Sequence, residues 1–490
     1  MKKKALGSFS IVLLFVLCTP VLVLNVDGSK AEFYLKPRIV QENRVEAFNT
    51  LLLELAGISD NTTKMSKINE FMTEQQPYGF PVTHDDAIIF IYRTNNASVV
   101  EIEGTPDRVR VELHHIEGTD LFYRQFTFPN DARGSYGFRE DGGPGLKDPL
   151  NPIKIALGSL DVIPDTFSVG QQLLVISDFQ MPEYADDGAY LFSETIGSVM
   201  VNDTFFSANT ESNYTLQIYL PAGYNKSQTQ RYASVYVGDG VYYAYAWNGQ
   251  QILDYLDFHN KTEPLIGVFI TPIEYSANRN RDFLFGRKNY ADFIVEELMP
   301  YIDSKYRTIN DSKSRAHIGS SGGGVFSLYI VAEYPQFFKL AGAQSVSVYE
   351  YSTGMISGTT YPTLEEYFRH SPKIEDTRFY LNGGTYEEGI LKEAHKIANT
   401  LAAKEYVGKF RAFHQAHDPG QWRATLSEML TFLFTDAEPD YSGSPIYYGN
   451  IGKATPFPSV SIFGVMLLIL AFRRKNSVFR TLILKVSGKE

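Results

Sequence analysis

Apolar positions change their period along this chain, and the changes divide it. Between residues 40 and 72 they recur at helical spacing, with Phe48, Leu51, Leu52 and Leu55 on one face, which predicts an amphipathic helical segment. From residue 86 to residue 187 short β-type runs take over, among them 87–92 (AIIFIY), 109–113 (VRVEL) and 173–176 (LLVI), broken by Gly, Pro, Asn and Asp. Successive short strands without helices between them predict a β-sandwich. Beyond residue 187 the rhythm changes again. Apolar strands at 214–220, 233–237, 265–270, 314–319, 339–344, 378–381 and 409–414 are interleaved with helical patterns at 250–258, 291–301, 322–333 and 388–403. That alternation predicts a mostly parallel sheet covered by helices on both faces.

The two ends are apolar in a different way. Met-Lys-Lys-Lys followed by a nearly all-apolar stretch at 5–24 has the layout of a secretory leader, expected over residues 1–28 and cleaved. Bulky Leu17 ahead of Cys18 argues against a lipid-modified cysteine. A second apolar run, counted from Phe457, is followed at once by Arg473, Arg474 and Lys475. It is slightly shorter than the ~20 residues that span a bilayer, a mismatch that thinning or snorkelling absorbs. Positive charge after it puts the tail in the cytoplasm and the body outside. The expected order is therefore leader 1–28, helical segment plus sandwich 33–186, catalytic domain 187–436, linker 437–456, membrane anchor 457–475 and cytoplasmic tail 476–490.

Composition narrows the function classes. With 490 residues the chain exceeds one core, and two domains plus ends are expected. A formal charge of -11 offers no basic face for nucleic acid, which is dropped as a partner. The single cysteine, Cys18, lies in the leader, so neither a disulfide nor a cysteine zinc site is expected in the body. Asn-x-Ser/Thr sequons at Asn61, Asn96, Asn202, Asn213, Asn225, Asn260 and Asn310 all lie between the apolar ends, as an external, glycosylated body would have them.

Candidate chemistry centres on residues 317–324, His-Ile-Gly-Ser-Ser-Gly-Gly-Gly, which contain Gly-x-Ser-x-Gly with Ser321 at the nucleophile position. Such a serine sits at a sharp strand-to-helix turn, where flanking glycines avoid collision with neighbouring backbone. The predicted strand before it and helix after it supply that context. A hydroxyl needs a base to become nucleophilic, and the chain order for this kind of elbow is Ser, acid, His. Of His370, His395, His414 and His417, only His417 lies in a loop beyond the last predicted strand, at the correct sheet edge. His414-x-x-His417 has no third ligand, so no metal is expected. The orienting acid should follow the strand at 378–381, which nominates Glu387 first and Glu388 second; Asp376 precedes that strand, at the wrong end. Two backbone N–H groups should form an oxyanion hole. Gly322 after the nucleophile is one candidate, and Gly240 in Gly238-Asp239-Gly240-Val241 is the other, unless that segment is a plain Asp-Gly turn.

At this point the sequence resembles the putative-esterase family of the α/β-hydrolases, specifically its enterochelin esterase-type members. The resemblance rests on Tyr219-Leu220-Pro221-Ala222-Gly223-Tyr224, on residues 236–240, on residues 296–302, on the elbow at 319–324, on Gly384-Thr385-Tyr386-Glu387, and on His417-Asp418 with Trp422-Arg423. In the front domain, residues 90–93 and 147–152 resemble the N-terminal sandwich of those esterases. The resemblance implies an α/β-hydrolase fold preceded by a sandwich, Ser321 as nucleophile, His417 as base, Glu387 as acid, and an oxyanion hole from Gly322 and the Asp239-Gly240 turn. It gives Trp422 a packing role beside the histidine loop. One departure from the resemblance is Gly322, where members of that family usually carry a bulkier residue.

Ester hydrolysis through an acyl-enzyme, with no cofactor, is the leading expectation. Its substrate would be a small-molecule or glycan-linked ester, of siderophore-lactone, feruloyl or acetyl-sugar type, since fold does not fix substrate. A surface-anchored acyltransferase, or a non-catalytic surface-binding protein on the same fold, are the alternatives.

Overall fold

The computed structural model describes residues 43–104, 110–151, 154–156, 175–226, 229–273, 275–346 and 356–443. The leader at 1–28, the anchor at 457–475 and the tail lie outside these. Among the described residues no helix is long and apolar enough to cross a membrane.

The first helical stretch is two helices, α1 (Arg44–Ala56) and α2 (Asn61–Gln75). Gly57 ends the first, and the Asp60 carboxylate starts the second by accepting the Thr63 N–H at 2.7 Å. The strands that follow are β1 (Val82–His84), β2 (Ala87–Arg93), β3 (Val100–Gly104), β4 (Val111–Glu112), β5 (His114–His115), β6 (Leu121–Thr127), β7 (Arg133–Glu140), β8 (Lys154–Ala156) and β9 (Val175–Gln180). They form two antiparallel sheets, β1-β2-β6-β5 and β4-β3-β7-β9-β8. Strand β2 shows why its sequence is apolar without a break. Ile88, Phe90 and Tyr92 face the second sheet, whereas Ile89 and Ile91 face α1 and α2. Both faces are covered, so period two is hidden in composition and visible only in packing.

The larger sheet contains β10 (Val199–Ser207), β11 (Ser212–Leu220), β12 (Ala233–Val237), β13 (Leu265–Pro272), β14 (Arg315–Ser320), β15 (Leu340–Gln344), β16 (Arg378–Gly384) and β17 (Val407–Phe413). Its order is β10-β11-β13-β12-β14-β15-β16-β17, antiparallel over the first three strands and parallel from β13 onward. Ile266, Val268 and Ile270 belong to one core and Leu265 and Phe269 to the other, so β13 is buried on both sides. Helices α7 (Gly322–Glu333) and α9 (Glu388–Ala403) cover the first face; α3 (Gly249–Phe258) and α10 (Pro419–Phe434) cover the second.

Three features depart from the sequence reading. Strand β10 adds an antiparallel edge that had not been expected. Helix α10, capped by Asp418 with Pro419 in its first turn, closes the domain in place of β17. The start of the expected linker is ordered against β17: the Phe410 N–H donates to the Asp440 carbonyl at 2.9 Å, and the Asp440 N–H to the Gly408 carbonyl at 2.8 Å. That short segment covers a sheet edge which would otherwise expose unpaired backbone.

Phe48 is fully buried between Phe71 and Tyr123, with ring centroids at 5.4 and 5.2 Å. If α1 and α2 are an integral layer on the first sheet, Phe48→Ala should lower stability by about 3–5 kcal/mol. A shift in the denaturation midpoint at unchanged slope checks this.

Candidate active site

The carboxyl ends of the parallel strands bring Ser321, Glu387, His417 and the Gly240 turn to one edge. Register fixes that edge: Ser320 lies beside Gln344, Gln344 beside Asn382, and Gly384 beside Phe413. Ser321, Ser345 and Glu387 follow the ends of β14, β15 and β16, and His417 follows β17.

Ser321 stands between β14 and α7 at φ 56° and ψ -122°, a conformation that costs a non-glycine residue about 1–3 kcal/mol. Its N–H donates to the Gln344 carbonyl at 2.8 Å, which ties the corner to the next strand. Asp239 and Ser345, at the ends of β12 and β15, also have positive φ, 56° and 48°. Three neighbouring strand ends therefore hold strain at one place. The glycines of the elbow are not equivalent. A Cβ at Gly319 would come within 2.7 Å of the Gly323 carbonyl carbon, so no side chain fits. At Gly323 the nearest atoms would be at 3.5 Å, ordinary contact. The expectation that both glycines are excluded-volume positions holds for Gly319 only. Gly322 also has room, with Leu284 Cδ2 at 3.6 Å, so its small size is not demanded by packing.

Glu387 is buried, and each of its carboxylate oxygens is engaged. Oε2 lies 2.6 Å from His417 Nδ1. Oε1 accepts the Gly384 N–H and the Ser345 hydroxyl, both at 2.9 Å. The Gln421 amide, turned so that its nitrogen meets acceptors, adds a donor to Oε1 at 3.2 Å and another to the Ala416 carbonyl at 2.7 Å. An ionised carboxylate can only accept, so in this contact Nδ1 is the donor. Trp422 packs edge-on against His417 at 5.0 Å, as expected, and also does more. Its Nε1–H donates to Ser345 Oγ at 2.9 Å, which turns that hydroxyl toward Glu387. Ser345 was not found from sequence; a serine after a buried strand has no signature of its own.

The other acids and histidines lie elsewhere. Asp376 pairs with Lys313 at 2.8 Å, at the far end of β16. Glu388 is the first residue of α9, and its side chain lies outside the described set. His370 stacks on Tyr361 at 5.6 Å, and His395 is half-buried against Phe410. His414 faces Asp131 of the sandwich at 2.6 Å.

Gly240 is required by close approach, since a Cβ there would meet the Ile270 nitrogen at 2.1 Å. The amides of the next three residues are committed elsewhere: Val241 to Thr271 Oγ1 at 2.7 Å, and Tyr242 and Tyr243 to the Asp239 carbonyl. Asp239 is held by two bonds of 2.7 Å from Arg279, a clamp that sequence reading missed. Gly322 opens α7, where unpaired N–H groups and the helix dipole favour negative charge. Among the described residues no group of three or more His, Cys, Asp or Glu is arranged to hold a metal.

Comparison with known proteins agrees with this architecture. Residues 207–433 match the sequence profile of the family described as Putative esterase. An endo-1,4-beta-xylanase/feruloyl esterase of Xylanibacter ruminicola is 29% identical over 253 residues, which is 47% of this chain and 31% of that protein. The uncharacterized protein YjcH of Bacillus subtilis is 30% identical over 137 residues, 27% of this chain and 56% of its own length. The chain thus spans well under two thirds of either relative. Among solved structures, the enterobactin esterase of Shigella flexneri, determined in the presence of enterobactin, superposes with TM-score 0.59 at 19% identity, over 71% of this chain and 92% of that one. The ferric enterobactin esterase of Salmonella typhimurium gives TM-score 0.60 at 17% identity, over 71% and 93%. The fold is that of α/β-hydrolase-like esterases.

Two outcomes follow from the geometry. Gly319→Ala should abolish soluble folded protein or displace the elbow, whereas Gly323→Ala should fold with a melting temperature close to that of the parent; circular dichroism melts separate them. Burial pushes the Asp418 carboxyl up to about 6, with the Asp178 charge adding and Arg133 opposing. The folded state therefore binds this proton more tightly than the unfolded one, and stability from this group is lost as pH rises from about 4 to about 6. Asp418→Asn keeps an acceptor for the Gly420 and Gln421 N–H groups without ionising. Its stability relative to the parent should rise by on the order of 1–3 kcal/mol between pH 4 and pH 7.5. Melts at the two pH values measure it.

Proposed function

We propose, from the match of residues 207–433 to the putative esterase family, that the chain is a serine hydrolase of carboxylic esters, with Ser321 as nucleophile, His417 as general base and Glu387 as the acid that orients it. The observation that carries this reading is the 2.6 Å contact of His417 Nδ1 with a buried carboxylate, at the sheet edge where a strained Ser321 opens a helix.

In this reading His417 Nε2 takes the Ser321 proton as Oγ attacks the ester carbonyl carbon. Negative charge develops on the carbonyl oxygen and is met by the N–H groups of Gly322 and Gly240. The tetrahedral adduct collapses to an acyl-enzyme, and the imidazolium gives its proton to the departing alkoxide. Glu387 stabilises that imidazolium without becoming protonated. A water, activated by the same imidazole, attacks the acyl carbon, and collapse returns the proton to Ser321 and releases the acid. The chemistry asks for no cofactor.

The substrate is proposed as a small-molecule or glycan-linked ester of siderophore-lactone, feruloyl or acetyl-sugar type. Support for feruloyl esters is a relative bearing that activity in its name, and for lactones the fold of the enterobactin esterases. An external location, with an anchor at 457–475, is proposed from the apolar ends and the sequons. Release of iron inside a cell would not need such an anchor, which favours glycan-linked esters.

Turnover of a nitrophenyl acyl ester and labelling by a fluorophosphonate test the reading together. Ser321→Ala should abolish labelling and reduce kcat by at least ~10³-fold. Turnover that survives the substitution, or a parent protein that neither turns over nor labels, would mean a binding protein built on the same fold.

A further inference from the structure

The histidine loop is short, its upstream end is held by residues of the front sandwich, and the sandwich also approaches the helix that follows the loop. At the upstream end, three residues before His417, the Asp131 carboxylate meets His414 Nδ1 at 2.6 Å. Two residues along, the Arg133 N–H donates to the His414 carbonyl at 3.0 Å. The same residue carries a fully buried guanidinium that pairs with Asp178 on β9 through bonds of 2.7 to 3.1 Å. At the downstream end, Arg423 on α10 approaches Asp178 at 3.9 Å and lies over the Tyr190 ring at 4.3 Å. A third contact reaches the loop of the acid. Phe128 of the sandwich meets the Tyr386 ring edge-on at 6.3 Å, and the Tyr386 N–H donates to the Gln415 carbonyl of the histidine loop at 3.3 Å.

We propose that the front sandwich is a positioning element of the hydrolase site, and that Asp131 is a positioning residue which holds the His417 loop through His414. The inference rests on His417 being the base. The residues between β17 and α10 have little regular structure to hold them, and the Asp418 cap fixes only the helical side. Without the sandwich, residues 414–416 would keep the end of β17, the Tyr386 N–H and the Gln421 amide on the Ala416 carbonyl, but nothing would hold the His414 side chain and carbonyl. Asp131 is itself largely exposed and Arg133 is wholly buried, with side-chain exposures of 58% and 0%. The first can therefore be altered without emptying the interior, and the second cannot.

The test uses the full chain and four variants. Asp131→Ala should lower kcat for a nitrophenyl ester roughly tenfold, short of the ~10²-fold cost of a 1 Å misplacement. It should leave KM within twofold and slow fluorophosphonate labelling in parallel. Asp131→Asn, which still offers His414 an acceptor, should recover most of that loss. Glu54→Ala, which breaks the exposed Lys67–Glu54 pair on α1, should match the parent in rate and serve as the stability reference. The inference is overturned if Asp131→Ala keeps kcat within twofold of the parent while Ser321→Ala is dead. A loss that Asp131→Asn does not restore, or one explained by a fall in melting temperature beyond that of Glu54→Ala, overturns it equally. Turnover that survives Ser321→Ala sinks the hydrolase reading instead, so the two failures are distinct.

Discussion

One buried carboxylate organises the edge of the larger sheet where Ser321, Ser345 and His417 lie. Glu387 has a single orientation because Oε1 is pinned by the Gly384 N–H and by Ser345, whose hydroxyl is turned by Trp422. Only Oε2 is then left to face the imidazole, at 2.6 Å. Burying a carboxylate is costly unless its lone pairs are met, and here strand end, hydroxyl and imidazole meet them together. The arrangement requires β15, β16, β17 and α10 to be in place, so the fold and the site are a single constraint.

Strain is distributed in the same spirit. Asp239, Ser321 and Ser345 sit in unfavourable backbone regions at the ends of three neighbouring strands. Each is held by something specific: two guanidinium bonds at Asp239, the Gln344 carbonyl at Ser321, and the carboxylate–indole pair at Ser345. Gln344 links two of them, since its side chain also accepts from Tyr243 and donates to the Trp422 carbonyl and to Thr425. Preorganisation at such an edge is what electrostatic catalysis needs, because the donors do not reorient during the reaction.

Much of this was legible in the sequence, for identifiable reasons. The elbow at Ser321 is local: strand, tight turn and helix each leave marks within a dozen residues. The position of His417 at this edge was legible because it follows the end of the last predicted strand. Glu387 could be narrowed to two neighbours by position alone, and the contact with His417 is what separates it from Glu388. The illegible parts are contacts across long stretches of chain. Asp131 and His414 are 283 residues apart, and Trp422 and Ser345 are 77 apart. No periodicity encodes such pairs. Strand β10 was missed because an edge strand with alternating polar residues, 199–207, resembles a loop in composition. Helix α10 was missed even though Asp418 and Pro419 are an ordinary start signal. Gly323 shows the opposite error, in which a motif position was credited with a steric need that belongs to Gly319.

The most direct measurement is a crystal structure of the protein after reaction with a fluorophosphonate. Phosphorus should be bonded to Ser321 Oγ, with a phosphoryl oxygen within hydrogen-bond distance of the Gly322 and Gly240 nitrogens, and His417 Nε2 directed at the adduct with Glu387 still on Nδ1. Phosphorus on any other residue, or an adduct on Ser321 whose imidazole neighbour is not His417, would contradict that assignment.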